Sequence, residues 1–134
     1  MEKRVSYSKK LLVTLSVLSA PFVVCAAESC AVQSSKLLSE GKSEQLSAKF
    51  KGQLVRASQL EELSKKVGTL TAIEPATGPG FKQHKRLSVG TTSGKFEGSW
   101  VSAQSEILGS IQNQVYMSSS SRCELTALHV DFVQ

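Results

Sequence analysis

The chain has 134 residues, with 16 lysines and arginines against 11 acidic residues, a formal charge of +5 and a pI near 9.2. Most of that excess sits in the first 26 or 27 residues: without Lys3, Arg4, Lys9, Lys10 and Glu2 the remainder keeps 12 basic and 10 acidic side chains, a net +2. A balance so close to neutral gives no support for a nucleic-acid partner, and about 107 residues suffice for one domain with a modest core.

The N-terminal segment has the three parts of a secretory signal. Lys3, Arg4, Lys9 and Lys10 form a cationic start, Leu11 to Val24 an apolar stretch, and Val24-Cys25-Ala26 or Cys25-Ala26-Ala27 a small-x-small cleavage site. The apolar stretch is shorter than the roughly 20 residues a membrane-spanning helix requires, so no transmembrane anchor is expected. Cys25 ends an apolar run, as a lipidated cysteine would. Against lipidation, Val24 and Phe22 stand where that processing favours a small residue and a leucine. The expected layout is a signal peptide over 1–26 and a single domain over 27–134, delivered to the periplasm or the external medium. Cleavage after Ala26 or Ala27 removes Cys25 and leaves Cys30 and Cys123 as the only pair, which an oxidising compartment favours as a disulfide.

Helical periodicity runs from Cys30 to about Val67. Val32, Leu37, Leu38, Leu46 and Phe50 are spaced by polar residues, and Gly41 interrupts them, because glycine inside a helix costs about 1 kcal/mol relative to alanine. One helix to about Ser39 and a second from Ser43 to about Lys51 are predicted. A third follows the Ser58-Gln59-Leu60-Glu61 capping box. It carries Leu60, Leu63 and Val67 on one face, and Lys65, Lys66 and Gly68 mark its end.

After Gly68 the period falls to two. Strands are predicted over Thr69–Glu74, Phe81–Val89, Phe96–Leu108, Ile111–Met117 and Cys123–Val133. Bulges are expected at Gly98 and near Ala127–Leu128. Three helices followed by about five strands make an α+β domain: N-terminal helices packed on a curved antiparallel sheet.

This order of elements resembles the NTF2-like (cystatin-like cone) superfamily. The resemblance rests on the Leu37-Leu38-Ser39-Glu40-Gly41-Lys42 helix end and on the Leu60–Gly68 helix running directly into Gly68-Thr69-Leu70-Thr71-Ala72-Ile73-Glu74. It implies a concave sheet built on Leu37, Leu46, Leu60, Leu63, Leu70, Trp100, Val115 and Leu128. Phe50, Trp100 and Tyr116 are the candidates to line a ligand pocket between helices and sheet, though aromatics on half-buried strands commonly serve as core. A homodimer through the open sheet face is a further implication. The ketosteroid-isomerase branch of that superfamily needs an acid base and two hydrogen-bond donors; Asp131 is the only aspartate and Tyr116 the only tyrosine after the signal.

Catalytic machinery is sparse. His129 and Asp131 alternate on one side of the last strand and form the one imidazole–carboxylate candidate, against the plainer reading of two solvent-facing residues. His84 and His129 have no ligand set at a metal spacing, and no phosphate loop or nucleophile elbow is present. Lys82, His84 and Arg86 fall on one side of the second strand and form a candidate partner patch, or a charged edge that resists aggregation. The composition therefore points to an exported, non-enzymatic binding module without a cofactor, engaging a small apolar ligand or a protein partner. The alternative is a secreted inhibitor or immunity-type protein blocking a toxin or hydrolase through Gln112, Gln114 and Tyr116 or the basic strand.

Overall fold

The structure is a computed structural model that describes residues 28–133. The signal segment and its cleavage site lie outside the described residues. Helix α1 spans Cys30–Ser39, α2 Ser43–Ala48 and α3 Ala57–Val67, with a 3-10 turn at Lys51–Gln53. Strands β1 (Leu70–Ala76), β2 (Lys85–Gly90), β3 (Glu97–Ser105), β4 (Gly109–Ser119) and β5 (Glu124–Phe132) form one antiparallel sheet in the order β1-β3-β4-β5-β2. This is the α+β arrangement expected from the sequence. No helix among the described residues is long and apolar enough to cross a membrane.

The helices cover one face of the sheet. Alternation in the strands sends Leu70, Val101, Ala103, Ile111, Val115, Met117, Leu125, Leu128 and Val130 toward them, and Leu38, Leu46, Phe50, Val55, Leu60, Leu63 and Val67 meet these residues from the helical side. Serine hydroxyls clip the layers together. Ser39 Oγ accepts from the Leu70 amide at 2.8 Å, Ser64 Oγ donates to the Leu38 carbonyl at 2.8 Å, and Ser105 Oγ donates to the Val67 carbonyl. Ser35 and Asn113, both fully buried, hydrogen-bond at 3.0 Å between α1 and β4. Each clip satisfies a backbone or amide group that burial would otherwise leave unpaired.

Of three local expectations, two fail and the bulge near Ala127–Leu128 holds. Helix α3 begins at Ala57, and its start is held by Gln59 Oε1 accepting from the Arg56 amide at 2.9 Å, so Ser58 lies inside the first turn and is not the cap. The β3–β4 register runs unbroken from Glu97↔Met117 to Ser105↔Gly109, so Gly98 is not a bulge. Its lack of a side chain instead makes room for cross-strand neighbours: a Cβ there would stand 3.3 Å from Gln114 Nε2 and 4.0 Å from the Tyr116 ring. The extra residue in β5 is Thr126, between the Tyr116↔Ala127 and Met117↔Leu125 pairs, just before the Ala127–Leu128 step where the apolar pattern changes side.

A disulfide joins Cys30, in the first turn of α1, to Cys123, in the turn before β5, with Cα atoms 5.4 Å apart. It closes a 93-residue separation, for which chain entropy credits about 4.5 kcal/mol. The Cys30→Ser, Cys123→Ser double variant is expected to lose about 4 kcal/mol in urea unfolding; a loss below about 1 kcal/mol would show that the helical layer holds its place without the bridge.

Candidate functional site

Because β1 and β2 occupy opposite edges of the sheet, the 77–84 segment joining them must cross its full width. It does so over the face away from the helices. Gln112 on β4 pins it there: Gln112 Oε1 accepts from the Gly80 amide at 2.6 Å and Gln112 Nε2 donates to the Gly78 carbonyl at 3.1 Å. Phe81 lines, with Ser102, Gln104 and Ser110, an open cavity of about 320 Å³ on this part of the sheet. Gln112 is thus committed to the strap and is not the exposed contact residue that the strand pattern predicts.

At the far end of the strap lies the most heavily buried charge on this face. Asp131 is 2% exposed. Arg86 on β2 grips it with both arms, Nε at 2.6 Å and Nη2 at 2.9 Å, and His84 Nε2 stands 3.6 Å away. Two parallel bonds of this kind match guanidinium to carboxylate geometry, and the Asp131 hydrogen bond raises the Arg86 pKa further above its ordinary value.

Strand β2 begins at Lys85, so Lys82 and His84 belong to the strap and only Arg86 of the three sits on the strand. Arg86 and His84 converge on Asp131, Lys82 stands apart from them on the strap, and all three residues remain exposed. The reason is the length of the crossing, which takes the residues up to His84 as connection.

His129 and Asp131 do share a face, as alternation requires, but no hydrogen bond joins them, and both Asp131 oxygens are taken by Arg86. His129 packs on Tyr116, with ring centroids 5.1 Å apart, and its Nδ1 is buried without a partner. Burial first, and the nearby Arg86 charge second, lower the His129 pKa, and Asp131 offsets them in part. The candidate imidazole–carboxylate couple is thus not assembled; Asp131 braces β5 to β2 beneath the strap.

Beyond the strap the open face carries an aromatic and polar patch. Trp100, Gln114, His129 and Ser88 pair across β3, β4, β5 and β2 in one row, and Tyr116 stands beside it between Gly98 and Ala127. Trp100, Gln114, Tyr116 and His129 are all half-buried. Phe50 lies on the other side of the sheet, 3% exposed within the core and bridged to Leu125. The three aromatics expected to share a pocket are therefore split between two faces. Trp100 is likewise the one member of the expected concave core that faces away from the helices. Between helices and sheet the side chains close on one another, with Leu46, Leu60, Val115 and Leu128 at 0% exposure.

Among the described residues no group of three or more His, Cys, Asp or Glu side chains could hold a metal ion. No family model, curated protein or solved structure matches the chain.

Two outcomes follow from this geometry. Replacing Gln112 with alanine frees the strap, and the Gly80 amide is expected to exchange with solvent at least tenfold faster, read by hydrogen exchange. His129 takes up a proton less readily folded than unfolded. Its contribution to stability is therefore flat above pH 6.5, the ordinary histidine value, and becomes a penalty as the pH falls below it, because the unfolded chain protonates first. Urea unfolding between about pH 7.5 and about pH 5 is expected to show that decline in the native chain and a shallower one in His129→Gln.

Proposed function

We propose that the chain is an exported, non-enzymatic binding module whose partner is a protein, met on the open face of the sheet beside the strap. The carrying observation is the placement of Trp100 and Tyr116 on that face, in a row with Gln114 and His129, rather than in the core. Tryptophan and tyrosine are among the side chains enriched at protein–protein contacts. Export is supported by the signal-like N-terminus and by the Cys30–Cys123 bridge, which suits an oxidising compartment.

A small apolar ligand held between helices and sheet is the weaker reading, since the side chains there leave each other no exposed surface. The same filled core favours an inhibitor or immunity-type role as the form the binding takes, because such a protein needs a rigid surface rather than an interior. The helix–Gly–strand joint at Gly68 supports NTF2-like kinship. Gly68 adopts φ +73°, and a Cβ there would stand 2.6 Å from Glu106 Oε1, the atom that accepts from the Thr69 amide.

The test compares the native chain with a Trp100→Ala, Tyr116→Ala double variant. Cross-linking in the producing cells is expected to yield a defined adduct that weakens at least tenfold in the variant, two aromatic anchors being worth about 2 kcal/mol each. The thermal midpoint should stay within a few degrees. A small molecule retained by the native chain in native mass spectrometry, with no adduct, would overturn the protein-partner reading.

A further inference from the structure

The two free edges of the sheet are built differently. Strand β1 is blunted: its register slips between Thr71 and Glu74, Ala72 has φ +53°, and Pro75 removes a donor. These are devices that stop an edge from pairing with another chain. Strand β2 has no slip and no proline; its charges at Lys85 and Arg86 and the positive φ of Gly90 lie at its two ends. It pairs with β5 without a slip from Lys85↔Phe132 to Gly90↔Ala127.

The Thr91 amide bonds the Thr126 carbonyl at 2.9 Å. By antiparallel alternation Lys85, Leu87 and Val89 then exchange bonds with β5, and Arg86, Ser88 and Gly90 turn their N–H and C=O groups outward. No other described element takes up those outward groups. Alongside the edge runs a cleft of about 210 Å³ between β2 and α3, lined by Leu63, Leu87 and Val89, with Glu62 and Lys66 one helical turn apart at its rim.

We propose that β2 pairs with β2 of a second copy of this chain, antiparallel and with the two-fold axis at Ser88, making one ten-stranded sheet with the helices of both copies on the same side. Of the two registers that keep five residues of the strand paired, centred on Leu87 and on Ser88, the second sets the Arg86 charges further apart. Ser88 meets Ser88 of the partner subunit in a hydrogen-bonded pair. Arg86 falls opposite the partner's Gly90, and Leu87 opposite the partner's Val89, so each copy extends the apolar lining of the other's cleft.

Charge selects the register. Centred on Ser88, the two Arg86 side chains are set about 13 Å apart along the strands and the two Lys85 about 20 Å, beyond a screening length of about 8 Å at physiological salt. Centred on Arg86, like charges would face each other directly. The inference is independent of the partner surface proposed above, but the two are compatible, because the pairing joins two Trp100–Tyr116 patches on one continuous face. The contact lies at the small end of protein interfaces, which implies micromolar rather than nanomolar association.

Sedimentation of the native chain from about 1 to about 500 µM is expected to show a monomer–dimer equilibrium. Ser88→Pro, which removes an outward N–H and no bond to β5, should weaken it at least tenfold. Ser88→Cys, folded with Cys30–Cys123 closed and then mildly oxidised, should form a disulfide-linked dimer, since hydrogen-bonded partners stand about 5.5 Å apart at Cα, within disulfide reach. A native chain that stays monomeric throughout the range overturns the proposal. So does a dimer that survives Ser88→Pro without Ser88→Cys cross-linking, which would place the contact elsewhere. Should Ser88→Pro fail to fold, the Ser88→Cys result decides alone.

Discussion

Two strands that follow each other in the chain, β1 and β2, lie at opposite edges of the sheet, and the segment between them has to span its width. Four strand spacings amount to about 19 Å, and the 77–84 connection reaches about 27 Å when extended, so it crosses with little slack. A short connection over a sheet face must find partners for its backbone there. Gln112 supplies them with both ends of its amide, and the strap in turn closes over that part of the face. From this crossing follow the burial of Asp131, the turning of Arg86 and His84 toward it, and the confinement of the accessible patch to the Trp100–Tyr116 end.

The opposite face is governed by packing. There the apolar rows of three helices and five strands close on one cluster, and serines, whose short side chains reach a neighbouring carbonyl or amide without displacing apolar volume, pair most of the polar groups trapped in it, Asn113 Oδ1 being left without a partner. The disulfide reinforces the same layer by tying the first turn of α1 to the start of β5. The two faces thus differ: an apolar, closed layer toward the helices and a strapped, half-buried aromatic and polar row on the other side.

The edges add a second asymmetry. A blunted β1 and a regular β2 differ in what they let another chain do. Lys85 and Arg86 put the charge of β2 at one end of a six-residue strand.

Much of this was legible in the residues themselves. The period change at Gly68, from Leu60, Leu63 and Val67 to alternating strand residues, announces helices followed by strands, because the geometry of each element imposes its own spacing on the apolar side chains. The cysteine pair needed only export and arithmetic. Strand order was not legible, since alternation within a strand says nothing about its neighbours. With strand order went the fate of the site residues. Lys82, His84 and Arg86 look equivalent along the chain until the crossing makes the first two part of a connection. Phe50, Trp100 and Tyr116 look like one aromatic set until the unbroken β3–β4 register turns Trp100 and Tyr116 away from Phe50. His129 and Asp131 do lie on one face, as their spacing requires, but Arg86 reaches Asp131 from a strand 45 residues earlier and takes both its oxygens. The sequence alone determined the elements and the staple, which depend on local spacing and on a unique pairing; the tertiary structure alone decided which side chains meet, because that depends on long-range strand order and on the direction each register turns a side chain.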